Sequence, residues 1–110
     1  MTEYRSIRPR VLSLLLRELP VLQERYGIKT IGIFGSVSRG EDTPKSDLDI
    51  VYSFCPEMDT YENLLDLGDF LEELLQRRVD LVAEEWMSER LRKNVMAEAT
   101  FLCAQPGATA

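Results

Sequence analysis

Two short runs, "IKTIGIF" at residues 28–34 and "DLDIVYSF" at 47–54, stand on either side of the polar stretch "GSVSRGEDTPKS", and no other feature restricts the fold as tightly. The first run is rich in β-branched and aromatic side chains and reads as a strand; the second follows a polar turn containing Pro44 and reads as another. Aspartates stand at 47 and 49. Side chains two apart on a strand leave the same face, so Asp47 and Asp49 project together while Leu48 and Ile50 turn toward a helix layer. Two carboxylates held at one point repel, and a cation between them relieves the repulsion.

The remaining periodicity supplies that layer. Leu12, Leu15, Leu16, Leu19, Leu22 and Tyr26 recur at helical spacing, which predicts a helix over residues 10–26 with one face on the body of the domain. Pro20 is expected to break it or to begin a second short helix as its first residue, and Gly27 to stop it. Asp59 with Glu62 signals a helix start, and Leu64, Leu67, Phe70, Leu71, Leu74 and Leu75 carry an amphipathic helix to about Gln76. "RVDLVA", 78–83, is a third short strand; a helix from Ser88 places Leu91, Val95 and Ala99 on one side; "TFLC", 100–103, is a last turn or short strand. The order helix, strand, motif, strand, helix, strand, helix defines an α/β fold with a small sheet flanked by helices. The domain is expected to span residues 1–103, with 104–110, "AQPGATA", as a loose tail.

Composition narrows the chemistry. A chain of 110 residues holds one domain with a modest core. Its net charge of −6 argues against nucleic-acid binding as the main task, which needs a basic surface. It contains no histidine, which removes Ser-His-Asp and Cys-His nucleophiles, histidine zinc sites and histidine bases and leaves acid–base work to carboxylates. Cys55 and Cys103 have no metal-binding or redox spacing and read as reduced packing residues. With no bilayer-length apolar run and no signal-peptide layout, the expected location is cytoplasmic. The arginines at 5, 8 and 10 read as a solvated helix start rather than a partner or DNA contact.

The chemistry gathers around the polar stretch. Gly35 and Ser36 close the first strand and open a short helical turn, where outward N–H groups hold anions and the Ser36 hydroxyl adds a donor. Gly40 ends the turn. Arg39 lies on the same turn and either reaches a phosphate or ties the loop to a carboxylate. Oxygen ligands such as Asp47 and Asp49 suit Mg²⁺, which takes one or two carboxylates with substrate phosphates and water. Asp80 sits in an otherwise apolar strand. If that strand pairs beside 47–54, Asp80 faces the same cluster and binds a second ion or takes a proton from an attacking group. Singly, an Asp-x-Asp is a solvated strand end and a Gly-Ser is a turn; the combination is what points to a site. Neither G-x-x-x-x-G-K-[ST] nor G-x-G-x-x-G occurs, so no P-loop or Rossmann site is supported.

"GSVSRG", "SDLDIV" and "RVDLV" together resemble the signature of the minimal nucleotidyltransferases, the small MNT proteins of the DNA polymerase β-like superfamily. The likeness runs from the leading helix to beyond Asp80; Ser38 departs from an alanine expected in many relatives. It implies a mixed-sheet nucleotidyltransferase core, with Gly35 and Ser36 at the triphosphate-gripping positions, Asp47 and Asp49 as the metal pair and Asp80 as the third carboxylate. It further implies ATP as nucleotide donor, Mg²⁺ as cofactor and a HEPN-domain ribonuclease toxin as partner, AMP passing to a tyrosine of that toxin. Two other functions stay open: an antitoxin that silences its partner by covering it, and transfer to a small molecule such as an aminoglycoside. For the last, the chain ends soon after Asp80 with no added helical region to hold the acceptor.

Overall fold

A computed structural model describes residues 3–102; Cys103 and the expected loose tail at 104–110 lie outside the described residues. The chain order is α1 (Arg8–Arg25), β1 (Ile28–Phe34), α2 (Gly35–Arg39), β2 (Leu48–Phe54), α3 (Tyr61–Leu75), β3 (Val79–Ala83), α4 (Glu89–Glu98) and β4 (Thr100–Leu102). The strands form one mixed sheet in the order β3-β2-β1-β4. β1 runs antiparallel to β2 and to β4, while β2 and β3 are parallel. A parallel pair needs a long crossover, and α3 supplies it.

One face of the sheet carries the core. Ile31 and Ile33 of β1 and Leu48, Ile50 and Tyr52 of β2 are buried with Val11, Leu15, Leu19 and Leu22 of α1 and Leu67, Leu71 and Leu75 of α3. The three- and four-residue spacing on both helices is that of one apolar stripe laid on a sheet. The stripe of α1 is turned slightly from expectation: Val11 belongs to it, and Leu16 remains 36% exposed. The other face shows the in-register pairs Thr30 with Ser53, Gly32 with Val51, Phe34 with Asp49, and Asp49 with Asp80. Alternation along each strand thus places Asp49, Asp80, Ser53 and Thr30 on the face away from the core.

Several local expectations are corrected. Pro20 neither breaks α1 nor begins a second helix; the helix is continuous through it. Proline removes a bond to the carbonyl four residues back, that of Leu16. Leu16 and Pro20 both lie on the exposed side, where that carbonyl is open to solvent, while Leu15, Leu19 and Leu22 hold the buried side in place. The α3 N-cap is Thr60, one residue after Asp59, its hydroxyl accepting from the Asn63 amide at 3.1 Å. Gln76 ends that helix in a left-handed conformation. β2 and β3 each begin one residue later than expected. Ser88 caps α4, yet Leu91 is 46% exposed and Val95 is that helix's buried residue. The arginines of the first helix are not simply solvated: Arg8 donates to the Ser38 carbonyl at 2.9 Å and Arg10 to the Leu75 carbonyl at 2.8 Å. Each ties α1 to the end of another element.

Candidate active site

The site begins where β1 runs out. Phe34 is extended, and Gly35 then turns the chain with φ +74°, in the left-handed region. Glycine is required there twice over. An L side chain is strained at that φ, and a Cβ on Gly35 would fall well inside 3.0 Å of Asp49 Oδ2. The first glycine of the motif and the second aspartate are therefore in contact. α2 is a single turn anchored by Val37, which is fully buried, and closed by Gly40 at φ +71°, whose N–H donates to the Val37 carbonyl at 3.0 Å. Ser36 is half-buried on this turn.

The carboxylates meet through strand register. Asp49 stands directly opposite Asp80 in the parallel β2–β3 pair, and neighbouring strands lie about 4.8 Å apart. Asp47 is exposed, one residue ahead of β2. Partial burial pushes the Asp49 carboxyl above the ordinary aspartate range, and the negative charges of Asp80 and Asp47 push it further, with Arg39 opposing and Glu98 adding to the rise. This is the like-charge frustration that a cation relieves. Three carboxylates offer the hard oxygen donors that suit Mg²⁺. Among the described residues no three acidic side chains are gathered closely enough to hold an ion as they stand. Asp47 and Asp80 are both exposed, at the solvent side of Asp49. The donor chemistry fits the ion.

Arg39 takes the second of its two expected roles. It binds Glu41 at 2.8 Å and Glu98 at 2.9 Å, tying the turn to carboxylates. Glu98, the last residue of α4, escaped the sequence reading. One of its oxygens accepts from the Gly35 N–H at 3.1 Å, and the other accepts from Arg39. Nothing local in the sequence marks Glu98, because the contact arises only when α4 packs back against α2. Asp42 was likewise unforeseen. It is buried and accepts from the Tyr4 hydroxyl, the Ser6 hydroxyl and the Ile7 amide, fastening the segment before α1 to the motif loop. Burial pushes its carboxyl up, but the bonds from Ser6, Tyr4 and Ile7, together with one from its own backbone N–H, outweigh burial and hold it below the usual carboxylate range. A cavity of about 330 Å³ lies at the other end of the same sheet face, lined by Thr30, Ser53, Glu84 and Arg92 among others, and does not include the aspartates.

The fold is that of a nucleotide-transferring enzyme class. Residues 17–102 match the nucleotidyltransferase domain, and the chain belongs to that family. Over 90 residues, 82% of this chain and 90% of the relative, it is 37% identical to the protein adenylyltransferase MntA of Thermococcus cleftensis. A structure solved for a minimal nucleotidyltransferase candidate shares 37% identity and superposes with a TM-score of 0.69, covering 86% of this chain and 90% of the other. A toxin–antitoxin crystal structure with AMP-PNP superposes with a TM-score of 0.63 at 26% identity, over 84% of this chain and 76% of the other. The expected mixed-sheet nucleotidyltransferase fold is thus the observed one. No helix among the described residues is long and apolar enough to cross a membrane.

Proposed function

We propose that this nucleotidyltransferase moves AMP from ATP to a hydroxyl of a partner protein, with Mg²⁺ as cofactor, and so acts as the antitoxin of a HEPN-domain toxin, a tyrosine being the acceptor. The observation that carries the reading is the meeting of Gly35, Asp49 and Asp80 at the ends of three elements: Gly35 touches Asp49, and Asp49 stands in register with Asp80. The names of the relatives, a protein adenylyltransferase and a toxin–antitoxin pair with an ATP analogue, support the choice of donor and partner.

The reaction is a displacement at the α-phosphorus. The acceptor oxygen forms a new bond to that phosphorus, the bond to the β-phosphate bridging oxygen breaks, and pyrophosphate leaves. Asp47 and Asp49 would hold the cofactor, with Asp80 as the third carboxylate. Held there, Mg²⁺ would supply positive charge against the negative charge that develops during transfer. The Gly35 N–H and Ser36 hydroxyl grip the departing phosphates. Arg39, once released from Glu98 and Glu41, reaches a phosphate with its guanidinium fork. Asp80, exposed at the strand edge, takes the proton of the acceptor hydroxyl. The partner presents that hydroxyl in line with the breaking bond, and such positioning is a large part of phosphoryl-transfer catalysis.

Intact mass spectrometry of the cognate toxin, incubated with this protein, Mg²⁺ and ATP, tests the reading. The expected result is a toxin heavier by one or more AMP units, on a tyrosine, and no gain with Asp49→Asn. A toxin that is bound and neutralised yet never gains mass would establish silencing by coverage instead.

A further inference from the structure

We propose that Glu98 is an internal competitor for the triphosphate: its carboxylate occupies two donors of the motif turn, the Gly35 N–H and Arg39 Nη1, and must leave before a nucleotide's phosphates can seat on them. The inference rests on the reading of Gly35 and Arg39 given above. The geometry is that of a bidentate oxyanion. Oε1 takes the Gly35 N–H at 3.1 Å and Oε2 takes Arg39 Nη1 at 2.9 Å, so one carboxylate bridges the two donors that a phosphate group would bridge.

The backbone and side chain of Glu98 are held differently, and that difference makes a gate. Its carbonyl accepts from the Ser38 hydroxyl at 3.0 Å, and Ser38 in turn is tied by its own carbonyl to Arg8 at 2.9 Å. Thus the end of α4 stays docked on α2 whatever the side chain does. The side chain itself is 34% exposed and its Arg39 partner 47% exposed, so it has open solvent to swing into. Its seat is also electrostatically poor. A carboxylate at the last residue of a helix faces the negative end of the helix dipole, and Glu98 adds to the negative field on Asp49. Closed, it satisfies Gly35 and Arg39 while the site is free of anion. Open, it vacates two donors and removes one negative charge from beside the carboxylate cluster.

Occupancy by an internal carboxylate lowers apparent nucleotide affinity by the fraction of molecules in the open state. Glu98→Gln keeps the shape but weakens the bridge to Arg39, so AMP-PNP with Mg²⁺ should bind about ten-fold more tightly if the closed form holds about nine-tenths of the molecules. Calorimetric titration of AMP-PNP into parent, Glu98→Gln and Glu98→Asp, each checked by thermal melting, reads this directly. Glu98→Asp is too short to bridge both donors and should also bind more tightly, which a metal-ligand or purely structural role for Glu98 does not produce. Parent binding with either folded variant equal or weaker overturns the gate while leaving the site assignment standing. Absence of AMP-PNP binding by parent and variants alike overturns both together.

Discussion

Replacing Gly35 by alanine separates two demands that the motif turn places on one residue, and Gly40 provides the matched control. Both glycines are left-handed, at φ +74° and +71°, so alanine at either bears a similar backbone strain, about 1–2 kcal/mol. Around a Cβ on Gly40 there is nothing within 4 Å, whereas a Cβ on Gly35 strikes the Asp49 carboxylate. Gly40→Ala should therefore lose about 1–2 kcal/mol, a fall in Tm of roughly 4–8 °C for each kcal/mol in a domain of this size. Gly35→Ala carries the same strain plus the displacement of a half-buried carboxylate, a total of about 2–3 kcal/mol. The functional contrast should be larger, since misplacing a reacting group by about 1 Å costs on the order of 100-fold in rate. Activity should survive in Gly40→Ala and fall by about that factor in Gly35→Ala. Thermal melts and single-turnover transfer rates make the comparison. A double-mutant cycle completes it: in an Asp49→Ala background the extra cost of Gly35→Ala should vanish. Equal melting points and equal rates for the two single variants would refute the contact between Gly35 and Asp49 as the reason for the glycine.

The remaining predictions concern the charges. Because the Asp49 carboxyl is raised, its favourable contribution is fully present below the unfolded value near 3.8 and is lost as pH rises through the higher folded value. Asp49→Asn should then melt slightly higher than the parent at neutral pH, a gain held to on the order of 0.5 kcal/mol by solvent screening, while transfer is abolished; a lower melting point at neutral pH would contradict the frustration argument. Mg²⁺ should raise the parent's Tm and leave that of Asp49→Asn unmoved, a comparison made by differential scanning fluorimetry. Asp42 is the opposite case: its carboxyl is lowered, so its stabilisation is present above about 3.8 and is lost as pH falls through the lower folded value. Asp42→Asn should cost about 1–3 kcal/mol at neutral pH in a denaturant titration and flatten the acid limb of the stability profile; an unchanged acid limb would remove Asp42 as the fastener of the N-terminal segment.

What the sequence disclosed follows from how far apart the cooperating residues stand. β1, β2 and the turn between them are local features, and the alternation in "DLDIV" alone placed Leu48 and Ile50 in the core and Asp49 opposite to them. The meeting of Asp49 with Asp80 was legible as a condition, that β3 pair beside β2, and the parallel register fulfils it. Pro20 misled because an intrinsic helix breaker was weighed without knowing that its side of α1 faces water. Glu98 and Asp42 were invisible for a different reason. Each is an ordinary polar residue whose partners lie about sixty and thirty-five positions away in the chain, brought together only by tertiary packing.

Gly35, Ser36, Asp47, Asp49 and Asp80 are proposed to form a single site for a metal-bound triphosphate. A crystal of the parent protein grown with Mn²⁺ and AMP-PNP, examined by anomalous scattering, tests it in one measurement. The expected result is a metal peak bonded to Asp47 and Asp49, phosphates against the Gly35 amide and the Ser36 hydroxyl, and the Glu98 carboxylate turned away from Arg39. Nucleotide seated instead in the cavity beside Thr30 and Ser53, with Glu98 still on Gly35 and no metal at the aspartates, would contradict it.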